Sequence, residues 1–169
     1  IRSSSNIYNQ SLVASLIEVH GESFAESWGK GIVANMARKP TGGDTDQLRA
    51  VAAGQCDLAI SNTYYYGRLL DSERAEDKKV VNTVKVFWPN QGDRGVHVNI
   101  SGAAITKSAP NYDEAIKLLE FMVSDEVQAY YAKVNHELPV LGSATVSDTI
   151  KTLGSFKAHY LNLTNLGEN

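Results

Sequence analysis

A single cysteine in 169 residues, Cys56, leaves no second thiol with which an internal disulfide could form. Long apolar runs are missing too. The longest, Leu12 to Ile17, is interrupted by Ala14 and Ser15, far short of the roughly 18–20 residues of a membrane span. There is no basic excess: 16 Lys+Arg against 19 Asp+Glu give a net charge of −3. A surface built on phosphate contacts needs positive charge, so nucleic acid is excluded as the main partner. The four histidines, His20, His97, His136 and His159, show none of the spacings used by metal sites. No G-x-S-x-G elbow accompanies Ser3–Ser5, and no His/Asp pair is placed to serve a serine nucleophile, so the chain is not expected to be an enzyme. Internal repeats and low-complexity tracts are also lacking. What remains, 43% apolar and 21% charged residues, is the composition of one globular domain with a real core.

The first residues contain no initiator Met and no basic-then-apolar leader, and Ile1-Arg2 runs directly into Ser3-Ser4-Ser5. The chain is therefore expected to be cut well downstream of its natural start. Cys56, within Cys56-Asp57-Leu58-Ala59-Ile60, reads as a buried small hydrophobe or as one half of a disulfide whose partner lies upstream. No nearby histidine or cation would make it a nucleophile.

Periodicity divides the chain into helices and short strands. Leu12, Val13, Leu16 and Ile17 recur at helical spacing up to Gly21; a second helix carries Phe24, Trp28 and Ile32 and ends before Lys39-Pro40. Asp44 with Gln47 resembles a capping box opening a third helix through Ala53. Leu58–Ser61 predicts a strand, and Asn62-Thr63 turns into a helix ending near Asp71. The mixed charges of residues 72–79 predict a solvated face or loop. Two strands are expected over Val80–Trp88 and Val96–Thr106, around a turn-rich Pro89–Gly95. Two amphipathic helices follow, Tyr112–Val123 and Asp125–Val134, the second capped by Ser124. A last helix runs from Ser147 toward Tyr160, and the tail Asn162–Asn169 is polar. Helices alternating with short strands predict an α/β fold on a small, largely parallel sheet.

Eight tyrosines include three in succession, Tyr64-Tyr65-Tyr66. Successive helical side chains are about 100° apart, so three in a row cannot share one core stripe, and at least one phenol must point outward or into a cleft. The run follows a predicted strand and the polar pair Asn62-Thr63 at a helix start. Ligands of open α/β sheets bind at the carboxyl ends of strands, and a helix N-terminus favours anions. A phenol needs strong electrostatic help to ionise at neutral pH. Two adjacent tyrosines in such a place suit a hard, highly charged cation, and Fe³⁺, which displaces phenol protons itself, fits them best. Tyr8 also lies where a predicted strand becomes a helix, amid serines and asparagines able to hold a small anion.

The segments Ser3–Leu12, Ala34–Pro40, Gly54–Leu69, Gly95–Gly102 and Ala115–Phe121 resemble those of the periplasmic ferric-iron-binding proteins of bacterial ABC transporters. The resemblance covers the whole chain, against the downstream half of a family chain. Its most specific part is Asn62-Thr63-Tyr64-Tyr65. It implies a two-lobed clamshell of the type II solute-binding class, with residues 1–99 as the second lobe and 100–169 as the hinge return and first-lobe helices with the C-terminal tail.

The same resemblance implies that Tyr64 and Tyr65 ligate ferric iron, joined by Tyr8, whereas Tyr66 falls where the family varies. Ser5, Asn6 and Asn62 are candidates for a synergistic anion such as carbonate or phosphate. It implies a second cysteine upstream, pairing with Cys56 in the oxidising periplasm. The expected role is capture of Fe³⁺ and delivery to an inner-membrane ABC permease by a protein that is monomeric at full length. The alternative is a clamshell for another small solute, an oxyanion, a sugar or a thiamine-like ligand, in which the tyrosines stack or hydrogen-bond.

Overall fold

A computed structural model describes residues 1–162; residues 163–169, the body of the expected polar tail, lie outside the described residues. Eight helices occur among the described residues, and none is long and apolar enough to cross a membrane. The chain forms two compact units. One comprises residues 1–61, 82–99 and the segment from Phe156 onward; the other comprises 62–81 and 100–155.

The first unit is built on α1 (Ile7–His20), α2 (Glu22–Ala34) and α3 (Asp44–Ala52). Asn6 caps α1, its side-chain oxygen accepting from the Tyr8 N–H, so one orphan amide of the first turn is satisfied. Gly21 (φ +82°) ends α1 where the apolar periodicity stops. Ala14, Leu16, Ala25, Leu48 and Ala50 form the buried apolar set of this unit. The expected capping box of α3 is shifted by one residue. Gly43 takes the N-cap, and Asp46, not Gln47, reaches back to accept the Gly43 N–H at 2.7 Å. Gln47 is buried instead, donating to the carbonyls of Thr41 and Gly43. Asp44 is also buried, facing Arg2 Nε at 3.4 Å and accepting from Ser61 Oγ at 3.2 Å.

The second unit contains α4 (Thr63–Asp71), α5 (Ala75–Thr83) except its last two residues, α6 (Tyr112–Met122), α7 (Asp125–Val134) and α8 (Asp148–Lys151). Ser124 and Ser147 cap α7 and α8, accepting from the N–H groups of Val127 and Ile150. The last helix is one turn, shorter than its sequence suggested. Gln128 ties the chain after α7 to that helix: its amide donates to the Met122 carbonyl and its oxygen accepts the Val140 N–H, both at 2.9 Å.

The expected strands do not form ladders. Among the described residues the sole β pairing is an isolated parallel bridge between Val96 and Ala158, in which Val96 N–H donates to Lys157 O at 2.9 Å and His159 N–H to Val96 O at 2.8 Å. Gly95 admits this approach. It sits at φ +97°, and a Cβ there would lie 2.6 Å from the Lys157 carbonyl oxygen. A strand is stable only when neighbours take up its backbone groups, and some apolar side chains of these runs are uncovered: Leu58 is 85% and Phe87 82% exposed. The beginning of the predicted Val80–Trp88 strand is instead the end of α5. There Asp77, Val80 and Val81, at helical spacing, form the buried face, and Ser72 Oγ anchors the start by donating to Asp77 Oδ2 at 2.7 Å. The charged tract thus supplies the wet face of a helix.

Candidate functional site

The tyrosine run opens α4. Asn62 holds the N-cap position in extended conformation (φ −74°, ψ 145°), and its carbonyl accepts the Tyr65 N–H at 3.3 Å. The helix buries Tyr66, Gly67 and Leu69, and this choice of face sorts the three phenols. Tyr66 is a core residue donating its hydroxyl to the Val81 carbonyl at 3.3 Å, and burial pushes its phenol above the usual range. Tyr64 and Tyr65 are left half-buried in the first turn. Although 100° apart by backbone position, their rings converge, with centroids 4.4 Å apart and planes inclined at 34°. The pair therefore presents two hard oxygen donors from one helix end, whose dipole favours negative charge.

A third side chain completes this group. The guanidinium carbon of Arg68 lies 5.4 Å from the Tyr64 ring centroid and 5.5 Å from that of Tyr65. Both lie within cation–π range. Sequence reasoning passed over Arg68, yet the signal was there: Tyr-Tyr-x-x-Arg places one cation at i+4 from the first ring and i+3 from the second, the two spacings that make neighbours on a helix.

Tyr8, Asn6 and Ser5 belong to the first unit. Tyr8 is half-buried in the first turn of α1, behind the Asn6 cap. Ser5 lies in the turn before it, its hydroxyl 2.9 Å from that of Ser3, while Asn9 Nδ2 donates to the carbonyls of Arg2 and Ser3 at 2.9 Å and holds this turn against the helix. One turn beyond Tyr8, Ser11 Oγ meets His97 Nε2 at 3.0 Å. Burial lowers the His97 pKa, the Asn99 hydrogen bond opposing that shift and nearby His159 adding to it. No group of three or more His, Cys, Asp or Glu side chains able to hold a metal occurs among the described residues. Cys56 is a half-buried free thiol.

Comparison with known proteins gives the family of the chain. The family described as "Bacterial extracellular solute-binding protein" matches residues 20–158. Iron uptake protein A1 of Synechocystis sp. (strain ATCC 27184 / PCC 6803 / Kazusa) is 49% identical over 167 residues, which is 99% of this chain and 46% of that protein. Among solved structures, "Trichodesmium (IdiA) (FutA) in complex with iron and citrate ligands" superposes with a TM-score of 0.95 at 51% identity, covering 99% of this chain and 53% of the other. A ferric binding protein from Campylobacter jejuni gives a TM-score of 0.95 at 42% identity, over 99% and 53%. The chain thus spans about half the length of the relatives it matches. The fold is the α/β type II solute-binding class anticipated from the sequence, here represented among the described residues by helices and one isolated parallel bridge. A profile match across most of the chain and a relative of near-half identity lead to one assignment: the chain belongs to the bacterial extracellular solute-binding protein family.

Proposed function

We propose that the protein captures ferric iron in the periplasm and hands it to an inner-membrane ABC permease, without catalysing a reaction. The observation carrying this reading is the Tyr64–Tyr65 pair, two converging phenols 4.4 Å apart between ring centroids at the N-terminal turn of α4. It is supported by similarity to a relative whose structure holds iron and citrate. In this reading Tyr64, Tyr65 and Tyr8 bind one Fe³⁺, each phenol giving its proton to solvent as it binds. Hard phenolate oxygens suit a trivalent cation and suit Fe²⁺ less, so protonation or reduction releases the cargo. Ser5, Asn6 and Asn62 are the proposed contacts of a small anion, carbonate or phosphate, that fills remaining coordination positions. The working protein is a monomeric clamshell, with residues 1–99 in its second lobe and 100–169 forming the hinge return, first-lobe helices and tail.

The test is spectroscopic. At its natural length the protein, titrated with ferric citrate, should turn orange-red through phenolate-to-iron charge transfer. Tyr64→Phe and Tyr65→Phe should each weaken that band sharply. Unchanged colour in both variants refutes the pair as ligands; absence of colour with tight binding of a sugar or an oxyanion moves the protein to another solute.

A further inference from the structure

We propose that the parallel bridge between Val96 and Ala158 is an acid-labile clasp: protonation of the histidines around Arg94 frees the segment 156–159 while the helices of the first unit stay folded. The proposal goes beyond the ferric reading and needs no metal, so it stands or falls on the iron-free protein.

The course of the chain gives this bridge its importance. The first unit is left after Asn99 and re-entered at Phe156, so the bridge fastens the re-entering stretch beside the departing one. Its neutral fastenings lie at the surface. Besides the two bridge hydrogen bonds, Lys157 N–H donates to Gln91 Oε1 at 2.7 Å and Gln91 Nε2 donates to the Lys157 carbonyl at 3.3 Å. The Trp88 and Phe156 rings stack with centroids 4.3 Å apart. The loop presenting Gln91 is closed on itself, the N–H groups of Asp93 and Gly95 both donating to the Asn90 carbonyl. Hydrogen bonds that water can replace add little net stability each, so a modest change in charge decides whether the segment stays down.

Charge is gathered at this spot. Arg94 Nη1 lies 2.9 Å from His20 Nε2. Arginine only donates, so His20 Nε2 accepts, and a proton on it replaces a hydrogen bond by two cations face to face. His159, whose N–H donates to the Val96 carbonyl, stands in the field of both Arg94 and His20, and His97 in that of His159. Lys157 adds another cation, its ammonium donating to the Asp93 carbonyl. The Asp93 carboxylate opposes them 3.6 Å from Arg94 Nη1, but on a side chain 74% exposed, where water and salt screen it.

Burial and then Arg94 hold the His159 pKa below its ordinary value. Once the segment is free, that imidazole titrates near 6.5, so the open form takes up the proton more readily. The clasp is therefore firm above that pH and loosens as pH falls toward the lowered value, by up to about tenfold per pH unit for a histidine kept neutral. Such an opening is local, because the helices of the unit do not depend on it.

The experiment is hydrogen–deuterium exchange of the iron-free protein at its natural length, at pH 7.5 and 5.5, with rates converted to protection factors. Peptides spanning 94–99 and 156–160 report the clasp, and α3 reports the rest of the unit. Protection of the amides at 96 and 159 should fall about tenfold between the two pH values while α3 is unchanged. His20→Gln combined with His159→Gln should flatten that fall, since a glutamine oxygen still accepts from Arg94 and takes up no proton. Arg94→Gln, with both histidines in place, should make the fall shallower, and it serves as the test if the double variant melts below the native protein at pH 7.5. Equal protection at the two pH values in the native protein overturns the proposal. So does an acid fall as steep in the variants as in the native protein, or a parallel loss in α3, the signature of the whole unit opening.

Discussion

Helix α4 carries the tyrosine pair on one side and packs Gly67 against His136 on the other, and this second contact fixes how the helix can be altered. A Cβ on Gly67 would lie 2.8 Å from His136 Cβ and 2.9 Å from its Cγ. Neither atom is the end of a flexible side chain. His136 is 6% exposed, its backbone is in the left-handed region at φ +59°, and its buried Nδ1 has no hydrogen-bond partner among the described residues, Asp71 Oδ2 being 3.7 Å away. Gly67→Ala combines two opposing effects. Ala in place of Gly inside a helix is worth about 1 kcal/mol in its favour, while forcing a methyl into filled space costs about 1–3 kcal/mol. Two contacts below 3 Å to atoms at the root of a fixed side chain put the clash near the upper end of that range. The net expectation is a loss of about 1–2 kcal/mol.

Removing the obstacle reverses the sign. In a His136→Gly background both clashing atoms are gone, so the same Gly67→Ala change should stabilise by about 1 kcal/mol, the helix-propensity gain alone. The coupling between the two positions is then about 2–3 kcal/mol, at the upper end for residues in contact. Urea unfolding of the four proteins at one temperature measures it directly, and the denaturant slope checks that the unfolding reaction is unchanged. If Gly67→Ala stabilises the native background as much as it stabilises His136→Gly, the close approach of α4 to His136 does not exist in solution.

Acidification provides another test. Burial lowers the pKa of His97, and the pKa of His159 is lowered by burial and then by Arg94, with Asp93 opposing and His20 adding to the shift. Both groups bind protons more readily in the unfolded chain, whose histidines titrate near 6.5. Their contribution is therefore complete above that value and is lost as pH falls through the lowered folded pKa. A pH series of urea melts from 7.5 to 5 should show stability declining, with a shallower decline in His97→Gln; an equal slope in the two proteins would show that His97 keeps its ordinary pKa. The 169 residues alone should bind ferric iron weakly or not at all, since three phenols leave half of an octahedral shell to be filled from elsewhere. A tight ferric complex of this chain by itself, seen by equilibrium dialysis against citrate, would contradict that.

Part of the local chemistry was legible: Ser124 was read as the cap of α7. Asn6, Ser124 and Ser147 cap helices because a short polar side chain can satisfy an orphan amide within two or three residues, and Gly21 ends α1 at a positive φ. The helix after Asn62-Thr63 ends at Asp71, as its sequence suggested. The runs at 58–61 and 96–106 form no ladder among the described residues for a different reason. Apolar alternation records which face a segment would bury once paired, and pairing depends on neighbours that a segment's own residues do not specify. At 75–83 the charged tract concealed a 3.6-residue period, visible only once Asp77 is counted among the buried positions. The site divides along the same line. The adjacency of Tyr64 and Tyr65 is written in the sequence, but the convergence of their rings comes from side-chain rotation that burying Tyr66, Gly67 and Leu69 leaves open. Arg68 lay in view as the one residue satisfying both neighbour spacings to the pair at once. A search for donor atoms overlooks such a residue, because it meets the two tyrosines at their ring faces.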